Sequence, residues 1–388
     1  MKLYTEVYLI LLLMIFLTDY FMHKQLKNRI LIYKIFNFSI STFFVLAFTW
    51  IKLFSIHINN HKLTLILMWF NLLFLCIYIP KIIVLIFIFL KKKYKNQHIA
   101  LNSVQYMILS AFIFIVFYSS IITPFQFRII KTEVILPTLP SSFNDYKIIQ
   151  LSDIHLGSKP FNKVFYKKMV ELINNENPDL VVFTGDMVNN YAEEMTGYED
   201  VFKQIKATNK YAILGNHDYG DYSIWETKQA KAKNLNNIKS NFAAFGFKLL
   251  LNEHVFLHAK KDSFALIGVE NYYKNPVKNY AKLDKALAGI KKNTFQLLLT
   301  HTPVHWEKEV LKHKEVKLTL SGHTHAAQMG TTILGKILSP AVFMYKQFNG
   351  LYTIEEQNLY VSRGIGYIGL PILIGLNPEI SVITLKSK

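Results

Sequence analysis

Four long apolar runs in the first third of the chain constrain its fold more than any other sequence feature. They cover about residues 3–22, 35–51, 63–90 and 104–122. Each is close to or above the roughly 20 residues that an α-helix needs to cross a bilayer. A soluble helical bundle is the alternative, but its helices would carry charged residues at helical spacing on one face, and these runs lack such faces. We therefore predict a transmembrane region of four helices within residues 1–122.

The first and third runs each allow an alternative interpretation. The apolar core Val7 to Leu17 has the length of a signal-peptide core, but Thr18 and Asp19 follow where small residues would mark a cleavage site. We interpret this run as a retained membrane helix. Pro80 and Lys81 interrupt the third run, which predicts either a short span that ends before the proline or one longer, kinked helix.

The basic residues of the loops predict the orientation in the membrane. The first loop carries Lys24, Lys27 and Arg29, and the third carries four lysines within residues 91–95, whereas the second carries Lys52 and Lys62 alone. Because cytoplasmic loops are enriched in Lys and Arg, we expect the first and third loops in the cytoplasm. Both termini, and with them the C-terminal domain, would then be extracytoplasmic.

The net charge of +18 is compatible with a nucleic-acid partner. No predicted helix or sheet face interleaves basic residues with exposed aromatic residues, so we expect no nucleic-acid partner. Lysines that flank membrane helices or lie on solvated faces account for the charge. Cys76 is the only cysteine of the sequence, which excludes an intramolecular disulfide and a thiolate metal site.

The sequence pattern changes after residue 122. Residues 123–145 form a connector in which Pro137 and Pro140 prevent a long helix and alternating apolar residues predict an edge strand. From Tyr146 onward, short apolar runs alternate with helical patterns, which predicts an α/β domain over residues 146–388. The predicted strands and helices before the tail are Lys147–Leu151, Phe161–Asn174, Asp179–Thr184, Tyr211–Leu214, Trp225–Phe245, Phe247–Asn252, Phe264–Val269, Phe295–Leu299 and Val316–Leu320. The tail is strand-like, which predicts a second sheet.

Polar residues follow five of the predicted strands at the point where each strand ends. They are Asp153, His155, Asp186, Asn216, His217, His301, His323 and His325. Carboxylate, imidazole and amide groups are ligands for Mn, Fe or Zn, and the lack of thiolate argues against a closed structural zinc site. The set exceeds the needs of one ion. Two divalent ions about 3.5 to 4 Å apart, bridged by a carboxylate, would use it, and such a pair activates water for attack on a phosphoryl group.

The ordered motifs resemble a known superfamily. Asp153-x-His155, Gly185-Asp186, Gly215-Asn216-His217-Asp218, His301 and Gly322-His323-Thr324-His325 resemble the calcineurin-like metallophosphoesterases. The C-terminal motifs Ser362–Gly366, Gly369–Pro371 and Pro378–Ile380 are similar to the membrane-associated bacterial branch, which includes a cell-wall-associated phosphoesterase and UDP-diacylglucosamine pyrophosphatases. The resemblance covers about residue 127 to the C-terminus and implies a four-layer αββα sandwich.

The resemblance also implies a role for each motif residue. It assigns one metal ion to Asp153, His155 and His325, the other to Asn216, His301 and His323, and the bridging position to Asp186. His217 would protonate the leaving oxygen or stabilise the transition state. Asp218 would orient His217, with a turn or helix-cap carboxylate as the alternative. Arg363 is a candidate for phosphate binding, with a structural salt bridge as the alternative.

Three features depart from the family pattern or from ordinary loops. Ile372, Leu373 and Ile374 follow the Gly-Leu-Pro segment, where the family usually continues to an arginine, and Asn189 occupies a position that often carries another aspartate. Residues 333–345 are unusually apolar for a loop this close to the predicted site. This segment either packs into a core or contacts acyl chains or the bilayer surface.

These observations predict a multi-pass protein of the bacterial inner membrane with an extracytoplasmic catalytic domain. We expect it to hydrolyse a phosphodiester or pyrophosphate bond of a lipid-linked substrate such as UDP-diacylglucosamine. Its expected partners are the bilayer and a phosphorylated or lipid-linked substrate. The alternative is a membrane sensor or assembly module with a secondary or nucleotide-directed phosphodiesterase activity. Charges deep inside the helices would favour it, and Asp19 and Lys81 are the candidates.

Overall fold

The computed structural model describes residues 5–25, 31–54, 61–159, 162–275, 279–333 and 336–388. The chain divides into two compact units. The helical unit comprises residues 1–120 with the short segments 222–226 and 369–371, and the α/β unit comprises residues 121–221, 227–368 and 372–388.

The α/β unit contains two six-stranded mixed sheets. Sheet 1 has the strand order β1 (Arg128–Ile135), β14 (Glu379–Lys386), β2 (Lys147–Leu151), β3 (Leu180–Thr184), β4 (Asn209–Ile213) and β5 (Lys248–Leu249). Strands β2 to β5 are parallel to one another, and β14 is antiparallel to β2. The predicted edge strand of the connector is β1, which pairs with β14.

Sheet 2 has the strand order β12 (Gly350–Ile354), β13 (Gln357–Val361), β9 (Val316–Ser321), β8 (Gln296–Leu299), β7 (Asp262–Gly268) and β6 (Glu253–Ala259). The four strands β13, β9, β8 and β7 are parallel, and the two outer strands are antiparallel to their neighbours. A separate hairpin consists of β10 (Thr331–Ile333) and β11 (Lys336–Leu338).

Alternation along the strands separates three apolar cores. Successive residues of a strand point to opposite faces: Ile148 packs between the two sheets, whereas Ile149 packs under the helices of sheet 1. Those helices are α5 (Lys163–Asn175), α6 (Glu199–Phe202) and α7 (Lys228–Ala244), and α8 (Leu283–Leu287) and α9 (Val304–Lys308) pack on sheet 2. The predicted four-layer αββα sandwich is confirmed.

Side-chain caps decide where the longer helices begin. The Asn162 side chain accepts a hydrogen bond from the Phe165 N–H at 2.9 Å, and Thr227 accepts one from Ala230 at 3.0 Å. These caps satisfy backbone donors of the first turn. The predicted start at Phe161 lies outside the described residues. The predicted strand Phe247–Asn252 is shorter, since only Lys248 and Leu249 pair with β4.

The helical unit contains α1 (Thr5–Gln25), α2 (Leu31–Phe54), α3 (His61–Lys93) and α4 (His98–Phe117). Four segments are long and apolar enough to cross a membrane, namely Glu6–Gln25, Leu31–Leu53, Leu63–Lys93 and Lys95–Phe125. The predicted four-helix region is confirmed, although residues 3 and 4 of the first run lie outside the described residues. Helix α3 continues through Pro80, so the longer of the two predicted forms is correct.

A polar network lies inside this apolar unit. Lys81 Nζ is 2.9 Å from Asp19 Oδ1, and the two side chains are 13% and 18% exposed. The Tyr78 hydroxyl donates to Asp19 Oδ2 at 3.2 Å, and the Asn37 amide donates to Oδ1 at 3.3 Å. The two charges thus neutralise each other across α1 and α3, which removes most of the cost of placing them among apolar helices.

We predict that Asp19→Asn lowers the free energy of unfolding of the helical unit by about 3 kcal/mol, because it leaves the Lys81 ammonium buried without its counter-charge. Thermal unfolding in detergent micelles measures the loss. The double variant Asp19→Asn with Lys81→Met should recover most of it, since neither charge remains. If the loss of stability in the double variant equals the sum of the losses in the two single variants, the ion pair itself does not stabilise the helical unit.

Candidate metal centre

The predicted ligands lie at the carboxyl ends of parallel strands in both sheets. Asp153 and His155 follow β2, Asp186 follows β3, and Asn216 follows β4. The remaining three ligands follow strands of sheet 2, His301 after β8 and both His323 and His325 after β9. This placement agrees with the general rule for ligand sites in α/β sheets, and the structure brings all seven side chains together.

The first ligand group consists of Asp153, His155 and His325. One ligand atom from each lies within 4.8 Å of the others. His155 Nε2 and His325 Nε2 are 3.2 Å apart, and His325 Nε2 is 3.4 Å from Asp153 Oδ1. All three side chains are buried.

The second ligand group consists of Asp186, His301 and His323, also within 4.8 Å of one another. The Asn216 amide oxygen belongs to it, because Oδ1 is 3.0 Å from His301 Nε2 and 2.8 Å from His323 Nδ1. Asp186 Oδ2 is 3.1 Å from His301 Nε2 and 3.9 Å from His155 Nε2. Asp186 therefore lies between the two groups.

The donor atoms of both groups fit divalent cations. Burial lowers the pKa of His155 well below its ordinary value and that of His323 to about 3, so both imidazoles are neutral and offer lone pairs. Burial also opposes charge on His301, but the Asp186 and Asp153 carboxylates and the Thr184 carbonyl together outweigh burial and raise the pKa of His301 to about 9. A cation in the second group would displace that proton. Oxygen and imidazole donors without thiolate suit Mn, Fe or Zn.

Neighbouring groups fix the orientation of the ligands. His301 Nδ1 is 2.7 Å from the Thr184 carbonyl oxygen, so the Nδ1–H donates there and Nε2 faces the second group. The Asp153 carboxylate accepts the backbone N–H of His323 at 3.0 and 3.1 Å and the hydroxyl hydrogen of Ser152. Asp153 thus connects the strand-end loops of the two sheets.

The backbone of the ligand loops is strained. Five ligands have φ in the left-handed region, with values of 51° for Asp153, 48° for His155, 63° for Asp186, 75° for His323 and 48° for His325. Such residues cost about 1 to 3 kcal/mol each and persist where the surrounding structure holds them. The same loops are tightly packed, because a Cβ at Gly322 would overlap Ser152 Oγ and Asp153 Oδ2.

His217 and Asp218 have different surroundings. His217 Nδ1 is 2.7 Å from the carbonyl oxygen of Asn189, and the imidazole lies edge-on to His155 with ring centroids 4.9 Å apart. The Asp218 carboxylate is fully buried and accepts backbone N–H groups of Gly215 and of residues 186–188, at 2.9 to 3.3 Å. This geometry supports the turn-carboxylate alternative for Asp218. The Asn189 carbonyl, rather than Asp218, orients the His217 imidazole.

Arg363 is buried in a structural network. Its Nε donates to the Asn377 carbonyl at 3.1 Å and lies 3.4 Å from Glu379 Oε2. The Glu379 carboxylate also accepts from Tyr360 at 2.8 Å and from Ser381 at 2.6 Å. This arrangement supports the salt-bridge alternative, and phosphate binding by Arg363 stays a prediction.

Glu194 is a residue of the site that sequence reasoning missed. Its buried carboxylate accepts the backbone N–H groups of Gly157 at 3.0 Å and of residues 189–191 at 2.6 to 3.0 Å. It thereby holds the loop after β2 against the loop that carries the Asn189 carbonyl. Burial raises the pKa of Glu194 to about 7, against the four N–H donors. No spacing in the sequence connects Glu194 to the motifs.

The calcineurin-like phosphoesterase family matches residues 146–327. The uncharacterized metallophosphoesterase YkuE of Bacillus subtilis is 30% identical over 276 residues, which are 70% of this chain and 89% of that protein. The uncharacterized metallophosphoesterase Cj0846 of Campylobacter jejuni is 26% identical over an alignment of 400 positions that covers 98% of each chain.

A transmembrane protein with metallophosphoesterase domain from Danio rerio is 30% identical over 271 residues. The match covers 67% of this chain and 57% of the zebrafish protein, so the chain spans little more than half the length of that relative. The motifs, the αββα fold and these similarities agree. The chain belongs to the calcineurin-like phosphoesterase family and is a metal-dependent phosphoester hydrolase with membrane-spanning helices.

Proposed function

We propose that the protein is a membrane-anchored hydrolase with two metal ions that cleaves a phosphodiester or pyrophosphate bond in a lipid-linked substrate. The observation that carries the proposal is the position of Asp186 between the two ligand groups. A carboxylate in that position can bridge two cations, and dinuclear centres of this kind are suited to displacement at phosphorus.

In this proposal Asp153, His155 and His325 hold one ion, while Asn216, His301 and His323 hold the other, with Asp186 shared. When bound, two ions polarise a phosphoryl oxygen and lower the pKa of water. The backbone contact of His217 to Asp186, 2.8 Å from N to Oδ1, keeps this histidine beside the centre. The Asn189 carbonyl binds its Nδ1–H, so Nε2 is the nitrogen that exchanges a proton with the leaving oxygen.

The substrate class follows from the tether. The last membrane-spanning segment ends at Phe125 and the first strand of the α/β unit begins at Arg128. Three residues extend at most about 10 Å, so the connection between that segment and the strand is short. A freely diffusing nucleotide does not require this tether, whereas a substrate in the membrane plane benefits from it. We propose UDP-diacylglucosamine or a related envelope lipid as the substrate.

The competing function is a membrane sensor or assembly module with a secondary or nucleotide-directed activity. The charged pair of Asp19 and Lys81 inside the helical unit is the observation in its favour. Both charges are neutralised within their own network, however, which also suits a purely structural role. Measured turnover separates the two functions.

We propose that the chain is a multi-pass protein of a bacterial inner membrane with the α/β unit outside the cytoplasm, from the loop lysines. A reporter fused after Lys388 tests this orientation. We expect activity from a fused phosphatase that functions only in the periplasm. A fused fluorescent protein that matures only in the cytoplasm should stay dark. The reverse pattern would overturn the orientation and would favour a nucleotide-linked lipid, which is expected on the cytoplasmic side.

We predict Mn-dependent hydrolysis of UDP-diacylglucosamine by the detergent-purified full-length protein. His217→Ala should lower kcat about 100-fold to 10,000-fold, the range that general acid catalysis contributes, with metal content unchanged. Asp186→Ala should abolish turnover together with bound metal. The comparison substrate is a water-soluble chromogenic phosphodiester.

The outcomes separate chemistry from substrate. Turnover of the lipid that His217→Ala lowers and Asp186→Ala abolishes would establish a membrane-lipid pyrophosphatase. Turnover of the chromogenic diester alone would keep the phosphodiesterase chemistry and exclude this lipid. Metal-loaded protein without turnover of either would favour the sensor function.

We predict that Gly322→Ala reduces bound metal and turnover at least tenfold, because the new methyl group displaces the Asp153 carboxylate from the first ligand group. Elemental analysis per chain measures the metal, and circular dichroism monitors folding. Gly289→Ala is the control. No neighbouring atom lies within 4 Å of a Cβ at that position, so this substitution adds only the backbone strain of a φ of +87°. Equal metal content in wild type and Gly322→Ala would contradict the assignment of Asp153 as a ligand.

A further inference from the structure

The apolar segment near the metal centre does not pack into a core. Phe343 is 90% exposed, Met344 62% and Val342 57%, and Met329, Ile333 and Leu338 are also exposed. We call these six residues the apolar lip. Of the two sequence interpretations, core packing is therefore wrong for these side chains. The three most exposed, Val342, Phe343 and Met344, are consecutive, and clustered exposed apolar side chains are typical of an interaction surface.

The lip is attached to the ligand loop at both ends. It begins four residues after His325, with the hairpin of β10 and β11, and continues into a 3₁₀ turn at Pro340–Phe343. The Ser339 hydroxyl donates to the Ala326 carbonyl at 2.6 Å. At the far end, the Tyr345 hydroxyl is 3.3 Å from His323 Nε2. The segment that carries the lip is thus anchored to the loop of His323 and His325.

The charge of the segment is suited to a membrane surface. Residues 322–354 contain no Asp or Glu, while Lys336 and Lys346 are both basic. Lys346 is exposed and pairs with Glu307 at 2.6 Å. Apart from that pair, an apolar segment with lysines and no acidic residue of its own is typical of the interface of anionic bilayers.

We propose that the apolar lip inserts into the interface of the bilayer that holds the helical unit and so presents the metal centre to lipid headgroups. Phe343, Val342 and Met344 enter the acyl boundary, and the backbone of the hairpin stays at headgroup level. Four membrane-spanning segments belong to the same chain, so a bilayer is always available to the lip, which favours a bilayer over a second protein as the occupant. The inference rests on the proposed function and deepens it, since it names the bilayer as the place of substrate capture.

Fluorescence of a labelled lip tests the proposal on the full-length chain. Cys76→Ser removes the native thiol, and Phe343→Cys introduces a site for an environment-sensitive dye. The protein is placed, one copy per particle, in nanodiscs of phosphatidylethanolamine and phosphatidylglycerol with spin-labelled acyl chains. Phe256→Cys on β6 is the matched control, an aromatic residue 41% exposed on an outer strand. Val342→Cys is a second lip site in case the first variant fails to fold.

We expect blue-shifted emission at the lip and quenching by the spin-labelled lipids at least threefold stronger than at residue 256. Equal quenching at both positions would overturn the proposal. A blue shift without lipid quenching would also overturn it, because protein then covers the lip. Since the readout does not depend on turnover, an inactive protein with a quenched lip would refute the proposed function alone.

Discussion

The α/β unit must hold seven candidate ligand side chains close together in a buried place, and the rest of its structure serves that constraint. Contacts among the side chains themselves contribute little to this arrangement, since the Nε2 atoms of His155 and His325, 3.2 Å apart, gain at most one weak hydrogen bond. The protein holds it by other means. Asp218 and Glu194 bind eight backbone N–H groups of the surrounding loops, and the two sheets bring their strand ends to one edge. Binding free energy of metal ions is therefore folding free energy for these loops.

The main features of fold and site could be predicted from the sequence because they depend on strong, local patterns. An apolar run long enough to cross a bilayer has few alternative folds. Likewise, burial decides where an apolar strand that ends in a polar motif lies in the sheet. Parallel strands then bring such motifs together at one edge. This is why Asp153, Asp186 and His301, far apart in the sequence, could be assigned to one site.

Features that depend on hydrogen-bond partners or on exposure could not be predicted. Strand β6 is half exposed at the edge of sheet 2 and mixes Glu253 and His254 with apolar residues, so it lacks the periodic pattern of a strand. The partner of His217 is a backbone carbonyl, which any residue at position 189 supplies. The exposure of Phe343 depends on the path of the hairpin, and apolar composition alone is equally compatible with a core.

The left-handed backbone at the ligands has a consequence for the evolution of such proteins. Asparagine, like aspartate, is among the few residues other than glycine that adopt this conformation, and it differs from aspartate by one atom and by charge. Replacement of Asp153 or Asp186 by Asn would therefore keep the loop geometry while it removes a negative charge from the centre. Descendants that have lost catalysis can in this way retain an intact fold and its membrane anchor, and become available for selection as binding proteins.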